Sequence, residues 1–477
     1  MCPQPRPGTD AATRALARLV AEARVPVDVR QQARRYVVDW LGSTLAGGGE
    51  PELGALRGVV GTLGGSQVAT VLCSGERTTP PFAALINGAA AHVIELDDLD
   101  RESITHPAAP VVSAAFAVAE QRGCDADTLL DAVVVGYEVA LRVGEALGPS
   151  HYELWHTTAT AGVLGAAAAC SRVMGLDATG ALHALGSAGT MAAGLWQFLA
   201  DGAMSKPLHA GKAAHDGVLA ALLAEAGLSG AARVLEGSRG MLRAMSAQPR
   251  PERLTDGLEL LLGADSEPAP RGWRIGRVSL KVHACCRHIH AAIDALLALR
   301  EEHGLEPDRV RRVRVALYRQ GVELVSTATP GSPHAAKFSL PFCMALALTH
   351  GDVGPSRFSI GAISDPGLTQ LAARVDLRVD PELGARYPEQ WPAVVEVELG
   401  AGQRLCRRVD HPRGDPEAPL STEQLLHKVE VLLPALRGRE LRAVMQGVLA
   451  GEPGASPRAL VERVRQLFTA PGDRCSG

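Results

Sequence analysis

Aromatic residues are scarce: Trp, Tyr and Phe make up 4% of 477 residues. A large β-sandwich, whose two facing sheets are filled by bulky side chains, is a poor fit to that. Glycine is plentiful, at 51 residues, and alanine recurs in runs, which suits closely packed helices with small residues at their contacts. An excess of positive charge is also lacking. The formal net charge is −4, so nothing electrostatic points to nucleic acid or to an anionic membrane as partner. The longest apolar run, Ala159 to Cys170, falls far short of the roughly 20 residues a membrane helix needs. Nine cysteines (Cys2, Cys73, Cys124, Cys170, Cys285, Cys286, Cys343, Cys406 and Cys475) are scattered without CxxC spacing, against a disulfide framework or a zinc site. The chain has no P-loop, no GxGxxG after a strand and no HExxH, which removes nucleotide and zinc-protease readings. Met1 to Asp10 holds no apolar signal region, so a soluble, cytoplasmic protein is expected.

What is present is globular: 46% hydrophobic and 21% charged, in a chain too long for one simple core. Helical spacing of apolar residues runs through Thr13–Ala23, Val29–Leu45, Ala83–Ile94, Pro110–Arg122, Ala126–Leu147, Thr157–Met174 and Gly211–Ala226. Gln67–Cys73 reads as a small strand or extended loop. Near Gly272 the texture changes. Ile275–Leu280, Val310–Tyr318, Ala373–Val379 and Ala393–Leu399 alternate with period two, with helical runs His288–His303 and Ser339–His350 between them. Beyond an extended connector, His411–Pro419, the pattern Ser421-Thr-Glu-Gln424 is a capping box that opens a further helix. The expected fold is mainly α with an inserted α/β domain. A large helical domain is built from both chain ends (10–268 and 411–470), and 269–410 forms the smaller α/β part.

Four stretches carry polar groups that could do chemistry. Glu95 to Pro107 places Glu95, Asp97, Asp98, Asp100, Glu102 and His106 between two apolar helical runs. Charges near a core are costly unless paired or used, although the plainer reading is a solvated turn. His156 precedes Thr157 and Thr158, either of which could cap the following helix. That would set a neutral imidazole beside free backbone N–H groups, a reasonable carboxylate site, or leave a plain core histidine. Asp201 to Lys212 carries Lys206 and His209 in a Gly-punctuated loop ahead of a helix. Lys206 has the point charge to hold a carboxylate, and a solvated basic loop is the alternative. Lys281-Val-His283-Ala-Cys285-Cys286-Arg287-His288-Ile-His290 is the densest cluster. Its histidine spacing matches no standard metal site. A thiol acid/base at Cys286, tuned by Arg287 or Lys281, is allowed, as is an inert buried pair of cysteines.

These stretches together resemble the MmgE/PrpD family, which includes 2-methylcitrate dehydratase, cis-aconitate decarboxylase and iminodisuccinate epimerase. The resemblance runs from about residue 10 to 470. It rests on His92-Val-Ile-Glu-Leu-Asp-Asp98 with Thr105-His-Pro107, Gly136-Tyr-Glu138, Trp155-His-Thr-Thr158, Met204-Ser-Lys-Pro-Leu-His209, Lys337-Phe-Ser-Leu-Pro341 and His411-Pro-Arg-Gly-Asp-Pro416. It implies a helical domain, an inserted α/β lid, a cleft between them, a homodimer, and catalysis on a small carboxylic acid without iron–sulfur cluster or nucleotide. No metal or other cofactor is expected. His106, His156, Lys206 and Lys281 resemble polar positions that line the family's cleft. Glu95 stands at a position commonly Asp, and Leu99 falls where the decarboxylase-type motif has a hydroxyl. Cys286-Arg287 replaces the His that follows the lysine in dehydratase and decarboxylase members.

The chemistry so implied is proton abstraction or delivery beside a carboxylate. His106, His156, Lys206, Lys281 and Cys286 are the expected catalytic residues; Glu95, Asp97, Asp98, Arg287 and His209 are expected to bind substrate. His156 or His106 would be the base and His106 or Cys286 the returning acid. Lys206, Lys281 and Arg287 would hold carboxylates, and Asp97 or Asp98 would orient an imidazole. A lyase, dehydratase or decarboxylase, is the leading expectation. An epimerase follows, and a non-catalytic acid-binding relative is the reading from another class.

Overall fold

The structure, a computed structural model, describes residues 11–262, 272–400, 402–436, 438–452 and 456–469. The chain divides into two units. Of the described residues, the first holds those up to Val93, those within Asp98–Val278 and those from Val429 on; the second holds those within Ile94–Asp97 and Ser279–Lys428. The domain boundary expected at 268–269, the first ten residues, and Cys2 and Cys475 fall outside the described residues.

The first unit is helical. Its longer helices are α1 (Ala12–Glu22), α2 (Val27–Gly47), α3 (Pro51–Leu63), α4 (Pro80–Val93), α5 (Ala108–Arg122), α6 (Ala126–Leu147), α7 (Gly162–Val173), α8 (Ala178–Met191) and α9 (Lys206–Glu225). Ala69–Thr70 (β1) and Arg77–Thr78 (β2) form a minimal antiparallel hairpin within the stretch read as strand or loop. Every residue of α5 from Ala108 to Glu120 is buried, so this helix has no solvent-facing side over that span and sits inside the bundle. It stops at Gly123, whose positive φ of 68° lets its N–H reach the carbonyls of Ala119 and Glu120. Two residues on, Asp125 caps α6 by accepting from the Thr128 N–H at 2.8 Å. Where α6 crosses α7, a Cβ on Gly136 would stand 2.8 Å from the Gly165 carbonyl oxygen. On α9, a Cβ at Gly211 would stand 2.3 Å from the Leu85 carbonyl oxygen of α4. The small residues are thus what brings these backbones together, and the shortage of aromatics follows from it.

Several expectations need correction. Thr157–Met174 is two pieces, a turn Thr157–Thr160 and then α7, broken at Ala161. Helix α9 begins at Lys206 instead of Gly211, because Pro207 is harmless in a first turn that has no N–H bond to lose. Ile275–Leu280 is not a strand. Arg274–Arg277 is a 3₁₀ turn, whose spacing points Arg274 and Arg277 the same way. Arg274 pairs with Glu138 and with Glu145, each at 2.8 Å, while Arg277 pairs with Asp100 at 3.0 Å and with Glu145. Satisfying three buried carboxylates outweighs the alternation of Ile275 and its neighbours.

The second unit is built on a four-stranded sheet of β3 (Val310–Leu317), β4 (Val375–Val379), β5 (Ala393–Leu399) and β6 (Arg404–Val409), in the order β4-β3-β5-β6. Strand β3 runs parallel to β4 and antiparallel to β5, which is antiparallel to β6. Side chains of β5 alternate between buried and half-buried, as its sequence pattern requires. Helices α10 (His290–His303) and α11 (Leu340–His350) pack with the sheet and each other. Helix α12 (Thr422–Leu432) starts with the expected capping box: Ser421 N–H donates to Gln424 Oε1 at 2.8 Å, and Gln424 N–H to Ser421 Oγ at 3.1 Å. The chain returns to the first unit along α12 and ends in α13 (Arg439–Ala450) and α14 (Pro457–Thr469). The architecture is mainly α with an inserted α/β part. Among the described residues, no helix is long and apolar enough to cross a membrane.

Candidate active site

In the first unit, four histidines converge. His92 ends α4, His106 closes the loop before α5, His156 precedes the turn Thr157–Thr160, and His209 lies in the first turn of α9. The His92 ring stacks on His156 with centroids 5.4 Å apart and meets His106 edge-on at 4.9 Å. His156 and His209 approach through their Nδ1 atoms, at 3.3 Å. Phe198 stands edge-on to His209 at 5.3 Å, and Trp196 lies 5.0 Å from His156. Lys206, at the start of α9, is buried beside this group.

Local backbone geometry delivers these rings. The Thr158 hydroxyl accepts from the His106 N–H at 3.1 Å, tying the acidic loop to the His156 turn. The His156 N–H donates to the Gly194 carbonyl at 2.9 Å. Asp98 accepts from the Tyr137 hydroxyl at 2.7 Å and from the Ala108 N–H at 3.0 Å, so its charge sits at the positive end of α5. Asp100 accepts from Ser103 through both N–H (2.9 Å) and hydroxyl (2.6 Å). Just after Ser103, Ile104 holds a positive φ of 51°, a conformation that costs a β-branched residue about 1–3 kcal/mol. The loop spends that strain to deliver His106, which follows two residues later. The solvated turn weighed for this stretch is therefore not what forms: Asp97, Asp98 and Asp100 are all buried.

The electrostatics favour neutral rings at His156 and His209. Burial, then the proximity of His92, Lys206, His209 and His106, holds the His156 pKa well below the ordinary histidine value. Burial, then His92, Lys206 and Lys212, lowers His209 to about 4. A neutral His156 agrees with the sequence-based expectation, but the cause differs. His156 itself occupies the cap position, Thr157 and Thr158 lie inside the turn, and desolvation is the leading effect.

The second unit has its own buried polar group. Lys281 donates to Glu95 at 3.2 Å, with both side chains sealed from water and Glu95 held at a φ of +59°. Cys286 is buried at the start of the turn Arg287–Ile289, its N–H donating to the Lys337 carbonyl at 2.9 Å. Burial, followed by Tyr387 and Cys286, pushes the Tyr318 phenol well up. His288 stacks on Trp391 at 4.1 Å and bonds the Tyr318 hydroxyl at 2.5 Å. Arg287 is tied to protein groups of its own unit. Its guanidinium donates to Asp415, to the Arg413 and Pro412 carbonyls at 3.2 and 3.5 Å, and to His290 at 2.8 Å. Those bonds fasten the His411–Asp415 connector to the unit.

His411, Asp415 and Glu417 bring possible ligand atoms within 4.8 Å of one another, but Asp415 already faces the Arg287 cation. A metal ion there would meet a like charge. Of the residues singled out from sequence, the structure brings His106, His156, Lys206 and His209 together in the first unit. It groups Lys281 with Glu95 in the second and ties Arg287 to the connector. Sequence reasoning missed His92 and Trp196 as members of the first group. His92 was legible as the polar residue closing an apolar helix just before the acidic loop; Trp196 carried no local signal.

The chain matches the MmgE/PrpD N-terminal domain over residues 14–254 and the MmgE/PrpD C-terminal domain over residues 283–449. It is 27% identical over 474 residues to the cis-aconitate decarboxylase-like protein oryM of Aspergillus oryzae, covering 92% of this chain and 93% of that one. It is 27% identical to the cis-aconitate decarboxylase of Aspergillus terreus, with 86% of each chain covered. To the human cis-aconitate decarboxylase it is 28% identical, over 84% of this chain and 82% of the other.

Proposed function

Because the chain belongs to the MmgE/PrpD family, we propose that it is a lyase acting on a small carboxylic acid by proton transfer next to a carboxylate. The observation that carries this reading is the neutral His156–His209 pair beside the buried Lys206. A cation that holds a carboxylate and a neutral imidazole that takes up or returns a proton are the two parts such a reaction needs.

In a dehydration, His156 takes the proton from the carbon next to the carboxylate. The electron pair forms the new double bond, and the β-hydroxyl leaves as water after protonation by a second acid, His106. In a decarboxylation, CO₂ departs and the electron pair left on carbon takes a proton from the acid, His106. Lys206 stabilises the enolate-like charge in either case. An acid/base group of this kind supplies roughly 10²–10⁴-fold. The similarity to cis-aconitate decarboxylases supports the decarboxylase branch. The family resemblance also brings a homodimer and a cofactor-free reaction into the proposal, which light scattering and metal analysis of the active protein check.

One observation favours a second reading. Cys286 lies beside Tyr318, and a thiol acid/base in place of a histidine is a group that could return a proton in an epimerase.

Proton NMR of the purified protein with a panel of citrate-like and aspartate-like acids in D₂O, with and without chelator, separates these. Chelator-insensitive loss of CO₂ or water supports the lyase and names its substrate class. Deuterium wash-in without net conversion supports the epimerase. Turnover that vanishes with chelator, or no exchange with any acid, sinks the cofactor-free lyase and leaves a metal-dependent or acid-binding protein.

A further inference from the structure

A single antiparallel bridge joins Trp155 to Leu195. Around it the Trp196 N–H donates to the Leu154 carbonyl at 3.1 Å, beside the bond from the His156 N–H to Gly194. The indole N–H donates in turn to the Trp155 carbonyl at 3.0 Å. Phe198 stacks on the indole at 5.4 Å and Tyr152 meets it edge-on at 4.9 Å. The ring is therefore held in one orientation, tilted 54° to the His156 imidazole. His156 is 2% exposed, whereas Leu195 is 54% and Leu154 65% exposed and Trp196 itself is partly open. The indole stands on the outer side of the imidazole.

We propose that Trp196 is the positioning residue of His156: it shuts water away from the imidazole and fixes the plane in which that ring meets its reactant. The catalytic consequence rests on the lyase reading above, but the packing does not. The titratable groups that act on His156 within the first unit are a lysine and three further imidazoles: His92 from α4, His106 from the loop before α5, and Lys206 and His209 from α9. These oppose a charge on His156 by repulsion, and Trp196 opposes it by excluding water. An indole face also attracts an imidazolium, which works in the opposite sense. For a ring this buried, desolvation is the larger of the two.

The test is a pH titration of the protein labelled at the Cε1 carbons of its 15 histidines, with the His156 signal assigned through H156Q. The wild-type His156 signal is expected to stay at the neutral position from about pH 8 down to about pH 5. In W196A it should titrate inside that range, and W196F should restore the wild-type behaviour. His288, buried in the second unit, is the control for global damage. If W196A moves the His288 signal as well, W196L, which keeps an apolar side chain beside the bridge, takes its place in the comparison. A His156 signal unmoved by the alanine or leucine variant, or not restored by phenylalanine, overturns the proposal. No substrate is involved, so an inactive protein in the acid panel would leave this result readable. With an active acid in hand, the kcat–pH profile of W196A should move in the same direction while KM changes by less than about twofold.

Discussion

The Nδ1 atoms of His156 and His209 lie 3.3 Å apart, so one must donate and the other accept. Both rings are held neutral by burial, so each carries a single proton, and the pair has complementary tautomers. If His156 is the Nδ1–H donor, its Nε2 is a free base for substrate. If it accepts, its Nε2 is a donor that can bind a carboxylate or developing oxyanion. His209, expected from sequence to bind substrate, lies by geometry where its tautomer is coupled to that of His156.

Replacing His209 should therefore lower kcat more than it raises KM. Losing one neutral hydrogen bond of about 1 kcal/mol predicts a roughly fivefold drop in kcat for H209A. H209N keeps a side-chain donor and acceptor and should lose less. His156→Ala, by contrast, should cost on the order of 10²–10⁴-fold. A rise in KM at constant kcat for H209A would return His209 to substrate binding.

Stability should fall on the acid side well before carboxylates titrate. Burial lowers His151 to about 4, and burial followed by the Lys281 charge lowers His288 to about 3. Histidines with depressed native pKa values bind fewer protons folded than unfolded. Folding is then unaffected above about pH 6.5 and loses free energy as pH falls from there towards 4 and below. Several such rings act together over the same window. Thermal melts across a pH series should show a plateau at neutral pH and a decline beginning near pH 6.5. A midpoint that holds level to about pH 5 would show these rings to be far less perturbed.

Much of this was legible because it is local. The capping box at Ser421 and Gln424, the helix Ala126–Leu147 and the alternation in β5 need only a few adjacent residues to be recognised, and each forms where it was read. What was hidden depends on distant partners or on diluted signals. Helix α8 contains Gly180, Gly186 and Gly189, each a weak helix former, and the last lies so close to Val234 that a Cβ would stand 2.4 Å from it. Strand β6 is a charged edge, Arg404-Leu-Cys-Arg-Arg-Val409, whose arginines mask any alternation. Arg287 could be seen as a cation, but not that Asp415, 128 positions away, would receive it.

That placement makes Arg287 a test of clasp against clamp. R287A should leave Asp415 buried without its cation and destabilise the protein by about 3–5 kcal/mol. R287K should recover little, since an ammonium cannot reach two carbonyls and a carboxylate in one plane. Urea melts of both variants read this directly. Unchanged stability with a raised KM for the acid would restore Arg287 to the role of substrate clamp.

Lys281 and Glu95 pose the same question for the family-derived site. The pair is sealed from water, and Glu95 accepts the bond from a left-handed backbone at φ +59°. K281M alone leaves a buried carboxylate without that cation and should lose about 3–5 kcal/mol; E95Q strands the lysine at a similar loss. In K281M/E95Q neither charge remains, and most of that stability should return. Urea melts of the four proteins give the coupling as the departure from additivity. Activity should not follow stability. If Lys281 also holds a substrate carboxylate, the double variant will be folded and still impaired in kcat/KM. If the pair serves the fold alone, restoring stability will restore turnover as well. A double variant no more stable than the sum of its parts would show that each group is held chiefly by other partners, and would remove the ion pair from both accounts.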